Sequence, residues 1–213
     1  MLAPRKKLWS TPKSAIMTAS RLANIGKGDV VYDVGCGDGR VLIGLASSQF
    51  NDADADADAN AIGCQCTNYV GIEIDADRAE EARQNVLAAY ESGSLPRKVR
   101  IHIMCANALE VDYNEASVIF LYLVQRGLRL MKPILLRGRD SHSCGTKSTY
   151  VNGASSTDVQ QRQCNGSNLN VSRRTLRVIT YMSPFEDEKY SKRELCEVDH
   201  QRGAAWPLFL YHF

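Results

Sequence analysis

The chain has 213 residues, 44% of them hydrophobic, and a formal net charge of +2. That length suits one well-buried core, and the near-neutral balance gives no strong nucleic-acid signal. No stretch approaches the roughly 18 apolar residues needed to cross a bilayer, and no apolar signal core follows the basic start, so a soluble, intracellular, cytoplasmic protein is expected.

Residues 1–28 carry Arg5, Lys6, Lys7, Lys13, Arg21 and Lys27 and no acid. This fits a solvated basic helix of the domain, with organelle targeting, which would make the protein mitochondrial, as the second reading. Thr11-Pro12 has the form of a hydroxyl cap followed by proline at the first helical position, so a helix is expected over 12–23, with Ile16, Ala19, Ser20 and Ala23 on one face. Val30 to Val34 is a β-branched run bounded by turns and reads as a buried strand, and after Gly39 the residues Val41, Leu42, Leu45 and Ala46 recur at helical spacing.

A second strand is expected at Tyr69 to Ile74. Asp77-Arg78-Ala79-Glu80 then has the form of a capping box opening a helix with Ala82, Val86 and Ala89 inside. Val99 to Met104, Ala116 to Val124 and Arg177 to Met182 read as three further strands. A helix is expected from Gln125, kinked or ended by Pro133. Strands alternating with helices imply an α/β, doubly wound, Rossmann-like sheet of five parallel strands. Lys192 to His200 and Pro207 to Phe213 have no helix between them and should close the sheet as an antiparallel hairpin.

Two segments fit no element. An acidic low-complexity run, NDADADADAN, lies within 49–66, and 137–175 is polar, with six Arg or Lys against two Asp. Such compositions bury too little surface to offset ordering entropy, so both read as insertions in a single domain spanning 1–213. A substrate-docking arm is the functional alternative for the second. The seven cysteines form no CxxC pair, and Cys64 and Cys66 have no matching second pair for zinc. Reduced thiols and no metal site are expected.

The chemistry concentrates in VYDVGCGDGR, residues 31–40. Its glycines fall at alternate positions, 35, 37 and 39, and Arg40 fills the place of the third glycine of the dinucleotide pattern. Asp33 and Asp38 bring negative charge to a turn that could otherwise receive a phosphate, which favours a cationic ligand bearing an amino group. S-adenosylmethionine is such a ligand, with a sulfonium, an α-amino group and a ribose with two free hydroxyls. Glu73, in VGIEID, can accept from both ribose hydroxyls. A GxGxG turn also occurs as a purely structural strand-to-helix turn.

At these residues the sequence resembles the seven-strand, class I S-adenosylmethionine-dependent methyltransferases. VYDVGCGDGR looks like their first motif, VGIEID like their second, and the expected hairpin like their usual ending. The resemblance implies that Asp33, Gly35, Gly37, Asp38 and Gly39 form the site for the methionine part and that Glu73 holds the ribose. It implies further that Ile74 packs on the adenine and that Asn107, with Ala108 beside it, stands where the family usually has an aspartate at the adenine amino group. After the fourth strand, Phe120-Leu121-Tyr122-Leu123-Val124 departs from the Asn/Asp, proline, aromatic pattern of many nitrogen methyltransferases, which argues against base or glutamine-amide acceptors.

The Thr-Pro helix start, GDVVYDVGCGDGR, GIEID and a LYL-type strand running into LRLMKPILL look like a group that includes mitochondrial protein-lysine methyltransferases and bacterial relatives. That resemblance implies N-methylation of a protein lysine, with a protein substrate as partner and Tyr122 as the catalytic candidate lining the acceptor pocket. Trp9, Thr11 and Tyr122 are the substrate-binding candidates. The alternatives are a small-molecule or RNA methyltransferase, or a non-catalytic S-adenosylmethionine-binding protein.

Overall fold

The computed structural model describes residues 10–48, 67–96, 99–137, 175–198 and 203–213. Seven strands, β1 (Val30–Val34), β2 (Asn68–Glu73), β3 (Arg100–Cys105), β4 (Val118–Leu121), β5 (Arg177–Tyr181), β6 (Lys192–Glu197) and β7 (Ala205–His212), form one sheet in the order β3-β2-β1-β4-β5-β7-β6. Strands β1 to β5 pair in parallel, and β7 pairs antiparallel with both β5 and β6. The expected parallel sheet and closing hairpin are both present. The proposed insertions fall outside the described residues, save for Arg137 and Thr175.

Helices α1 (Lys13–Ala23), α2 (Arg40–Ser48) and α3 (Ala76–Glu91) cover one face, and α4 (Gln125–Leu135) covers the other. Side chains of a strand alternate between faces. Val31, Phe120 and Ile179 therefore pack with Ala19, Leu42 and Ala82 on the first face, while Val34, Ile119 and Val178 pack with Leu128, Met131 and Leu135 on the second. Because both faces are covered, β1, β4 and β5 are nearly continuous apolar runs rather than alternating ones.

Local grammar and packing disagree at three element ends. Strand β4 stops at Leu121, not Val124, because Leu121 already pairs with Val34, the last residue of its neighbour β1. Helix α1 begins after Pro12, which stands at the cap position with extended backbone and no side-chain cap, so Thr11 does not cap it. Helix α3 opens two residues earlier than the Asp77 box: Asp75 takes the cap, accepting from the amides of Asp77 and Arg78. Asp77 then falls in the first turn, where its charge suits the helix dipole. Pro133 lies inside α4, whose last residue, Leu135, follows two positions later.

At the N-terminal edge of the sheet, Asp29 ties four elements together. Its Oδ2 accepts from the Gly26 amide at 2.7 Å, and its Oδ1 accepts from Ser117 at 2.7 Å and from Arg177 at 2.6 Å. Arg177 also donates to the carbonyls of Ala23 and Asn24 at the end of α1. Burial alone would raise the Asp29 pKa, but these donors outweigh it and hold the carboxyl below its ordinary range. Removing one member of a buried pair leaves an uncompensated charge, so Arg177→Ala should lower the unfolding free energy by about 3–5 kcal/mol in urea melts at pH 7. Because the Asp29 carboxyl is held low, that gap should close as the pH falls through its folded-state pKa.

Candidate functional site

Strand β1 runs into the glycine turn at the C-terminal edge of the sheet. The amides of Gly35 and Cys36 both donate to the Ile72 carbonyl of β2, at 2.8 and 3.0 Å, and Gly39 donates back to Cys36 at 2.9 Å. Gly35, Gly37 and Gly39 have φ values of +78°, +56° and +79°. This left-handed region is open to glycine and costly for most other residues, which explains the alternate spacing. Space adds a second constraint: a Cβ on Gly37 would sit 2.7 Å from an Arg78 guanidinium nitrogen, and one on Gly39 would lie 3.4 Å from the Ala82 Cβ.

Beneath the turn lies a cleft of about 180 Å³ whose walls include Thr11, Asp33, Asp38, Arg40, Arg78 and Tyr122. Asp33 is buried, with 2% of its surface exposed, and its Oδ2 has no hydrogen-bond partner among the described residues. Burial, then the nearby Glu73 and Asp38, pushes its pKa up to about 8. A cationic N–H donor entering the cleft would supply both the hydrogen bond and the charge that this oxygen lacks.

Asp38 is placed differently from Asp33. It pairs with Arg40, whose Nε lies 3.0 and 2.9 Å from its two oxygens and whose Nη2 also donates to it. Burial works to raise the Asp38 pKa, but the Arg40 bonds and the Arg40 and Arg78 charges hold it low. Only one of the two expected carboxylates is therefore unpaired. Arg40 and Arg78 were not singled out as ligand-facing by the sequence; the one visible sign was Arg40 in the place of a third glycine. Together they bring guanidinium groups to the same cleft as Asp33, a combination that suits a zwitterion.

Glu73 does not stand free at the end of β2. Its Oε2 accepts from the Gly37 amide at 3.0 Å, and its Oε1 accepts from Ile74 at 2.9 Å and Asp75 at 3.1 Å. The carboxylate thus clamps the turn to β2 and already holds the Gly37 amide that a phosphate would claim. An ionised carboxylate has about four lone-pair sites, which leaves one for a further donor. Ile74, beside it, is 59% exposed. Asn107 follows β3, which pairs Cys105 with Glu73, so the two chain ends lie side by side. The Asn107 side chain caps the short 3-10 helix Ala108–Glu110, accepting from Leu109 at 3.1 Å and donating to Glu110 at 2.9 Å. Its carbonyl is therefore partly committed, and Ala108 is half-buried behind it.

On the opposite wall, Tyr122 follows β4, and Thr11 is buried just ahead of α1. The Tyr122 ring stands edge-on to Tyr181, with centroids 4.9 Å apart, and its hydroxyl lies 3.0 Å from the Met182 sulfur. Burial raises the Tyr122 pKa. Asp33, Thr11 and Tyr122 thus meet in one cleft, whereas Glu73 and Asn107 lie along the neighbouring strand ends. Trp9 lies outside the described residues.

With this geometry in hand, comparisons with solved structures decide the fold. An RNA methyltransferase from Salinibacter ruber, in complex with S-adenosyl-L-homocysteine, superposes with a TM-score of 0.58 at 20% identity, covering 96% of this chain and 93% of that one. The chain has the seven-strand methyltransferase fold. A magnesium protoporphyrin IX methyltransferase from Synechocystis PCC 6803, with bound SAM, shares this methyltransferase fold at a TM-score of 0.53 and 12% identity, covering 94% and 77% of the two chains. Among curated proteins, a protein-lysine N-methyltransferase of Saccharolobus islandicus (strain REY15A) is 32% identical over 125 residues, 59% of this chain. The match spans 65% of that relative's length. No protein-family model matches the chain.

The raised Asp33 pKa has a sign that can be checked. An unfolded aspartate loses its proton near pH 4, whereas folded Asp33 keeps its proton to about 8, so this group's contribution to stability is lost as the pH rises through that window. Asp33→Asn removes the penalty. The variant should melt higher than the ligand-free wild type by at least about 2 °C at pH 8, with the gap shrinking toward pH 5 in thermal scans.

Proposed function

We propose that the protein is an S-adenosylmethionine-dependent methyltransferase acting on the side-chain amine of a protein lysine. The observation that carries this reading is the buried, unpartnered Oδ2 of Asp33 on the cleft under the glycine turn. The acceptor half is supported by the activity named for the 32% identical relative. Residues 1–213 are read as one methyltransferase domain carrying the 49–66 and 137–175 insertions. The free thiols Cys36, Cys105 and Cys196 fit a reducing compartment, either cytosol or mitochondrion.

When bound, the cofactor supplies a methyl group already activated by its sulfonium, so the chain's task is alignment more than acid-base chemistry. Asp33 accepts from the α-ammonium group, and Arg40 and Arg78 offer their charge to the α-carboxylate, with Asp38 fixing Arg40. Gly35, Gly37 and Gly39 keep the turn bare against the ligand. Glu73 offers its remaining acceptor site to the ribose, Ile74 its exposed face to the adenine, and Asn107 and Ala108 bound the purine edge.

Thr11 and Tyr122 line the acceptor side, with Trp9 on the segment ahead of them. A lysine amine must lose its proton before attack, and from a pKa of about 10.4 that costs roughly 4–5 kcal/mol at pH 7. The rings of Phe120 and Tyr122, the latter backed by Tyr181, disfavour the charged ammonium and so lower that cost. Tyr122 is the residue placed to accept a hydrogen bond from the amine.

Calorimetric titration with S-adenosylmethionine and with S-adenosylhomocysteine tests the cofactor half, and no binding of either would sink it. Losing a hydrogen bond to a charged group costs about 1.5–3 kcal/mol, so Asp33→Asn should weaken both ligands by roughly 10- to 100-fold while leaving the fold intact. Glu73→Ala should also reduce affinity; unchanged affinity removes Glu73 from the ribose role. Transfer of a labelled methyl group into cell extract, with protease and ribonuclease controls, should put the label in protein. Label confined to RNA or small molecules would overturn the lysine assignment.

A further inference from the structure

Met182 follows the last residue of β5 on the same edge as the cleft, and its backbone is unusual. Its φ is +68°, and among the described non-glycine residues only Asn24 shares a positive φ. Asparagine tolerates this region through its short polar side chain, whereas for methionine it is strained. The Met182 amide donates to the Pro207 carbonyl at 2.8 Å, so β7 holds the strained residue in place. The result is a thioether turned toward Tyr122, with the hydroxyl and the sulfur 3.0 Å apart.

The direction of that bond follows from the atoms. A thioether has no proton to give, so the phenol must donate and the sulfur accept. The ring cannot swing away freely, because Tyr181 stands edge-on to it and Tyr181 is backed in turn by Trp206, with centroids 6.0 Å apart. With its proton directed to Met182, Tyr122 presents only lone pairs to the cleft that it lines with Asp33 and Thr11.

Resting on the methyltransferase reading above, we infer that Met182 is a positioning residue that makes Tyr122 an acceptor-only group and thereby selects a hydrogen-bond donor, such as an amine, as the methyl acceptor. Acceptor-only groups, such as an ether or a carbonyl oxygen, find no proton there. The strain at Met182 is then a device for placing an acceptor where it occupies the phenol proton.

The test uses the full chain saturated with S-adenosylhomocysteine and titrates two probes of equal size, n-butylamine as donor and methyl propyl ether as acceptor-only isostere, read by NMR shifts of the tyrosine ring signals. Wild type should prefer the amine. Met182→Leu keeps the apolar volume but cannot accept, so it should weaken the amine by about three- to tenfold and strengthen the ether, with S-adenosylhomocysteine affinity unchanged. In a Tyr122→Phe background the Met182→Leu effect on the amine should vanish, a coupling that a merely structural role would not produce. Equal probe preference in wild type and Met182→Leu, additive effects in the double variant, or no amine binding to the loaded wild type would each overturn the inference. Loss of S-adenosylhomocysteine binding by the wild type would instead overturn the methyltransferase reading.

Discussion

The Glu73 carboxylate reaches from the end of β2 to the Gly37 amide, and the C-terminal edge of the sheet depends on that reach. Three amides converge on the two oxygens, so the glycine turn, the end of β2 and the approach to α3 hold one geometry. The clamp also places a negative charge close to Asp33, whose Oδ2 has no hydrogen-bond partner among the described residues. The bond that orders the turn thus makes the neighbouring carboxyl costly to ionise. A carboxyl placed at such a cost to folding stability has the signature of a site kept for use rather than for strength.

The cleft mixes signs in a small space. An unpaired carboxylate lies deep, an aspartate–arginine pair lies at its side, and a second guanidinium covers Gly37. Such a set is poorly matched to a plain phosphate and well matched to a ligand carrying both an ammonium and a carboxylate. The same cleft is also lined by the aromatic rings of Phe120 and Tyr122, with Tyr181 and the Met182 thioether packed against Tyr122. The charged and aromatic parts of the lining thus suit two unlike ligands meeting in one cleft.

Much of this was legible in the sequence because glycine and β-branched residues report backbone conformation directly. The alternate glycines at 35, 37 and 39 announced a tight turn, which the structure shows to be left-handed at all three, and the apolar run at β1 announced a buried strand. Element ends were less legible. Thr11 and Asp77 each satisfied a local capping pattern, but Pro12, with extended backbone, and Asp75, whose carboxylate accepts from the Asp77 and Arg78 amides, stand at the caps. Arg78 escaped notice because its place over Gly37 depends on how closely α3 approaches the turn, a tertiary distance with no local sign. Met182 left no trace at all, since nothing in Tyr-Met-Ser declares a positive φ.

The position of β7 between β5 and β6 has a consequence for the order in which the molecule can be built. Helix α1 is fastened by Ser14 to the Glu197 carbonyl, 183 residues away, and by Arg21 to Glu194. Arg177 fastens the same helix to β5. None of these partners exists while the first half of the chain leaves the ribosome, so α1 can pack early on α2, through Ile16 against Gly44, but its fastenings to β5 and β6 come only when those strands are synthesised. The sheet is therefore expected to close only after the hairpin has emerged, with the ties from α1 to β5 and β6 among the last to form.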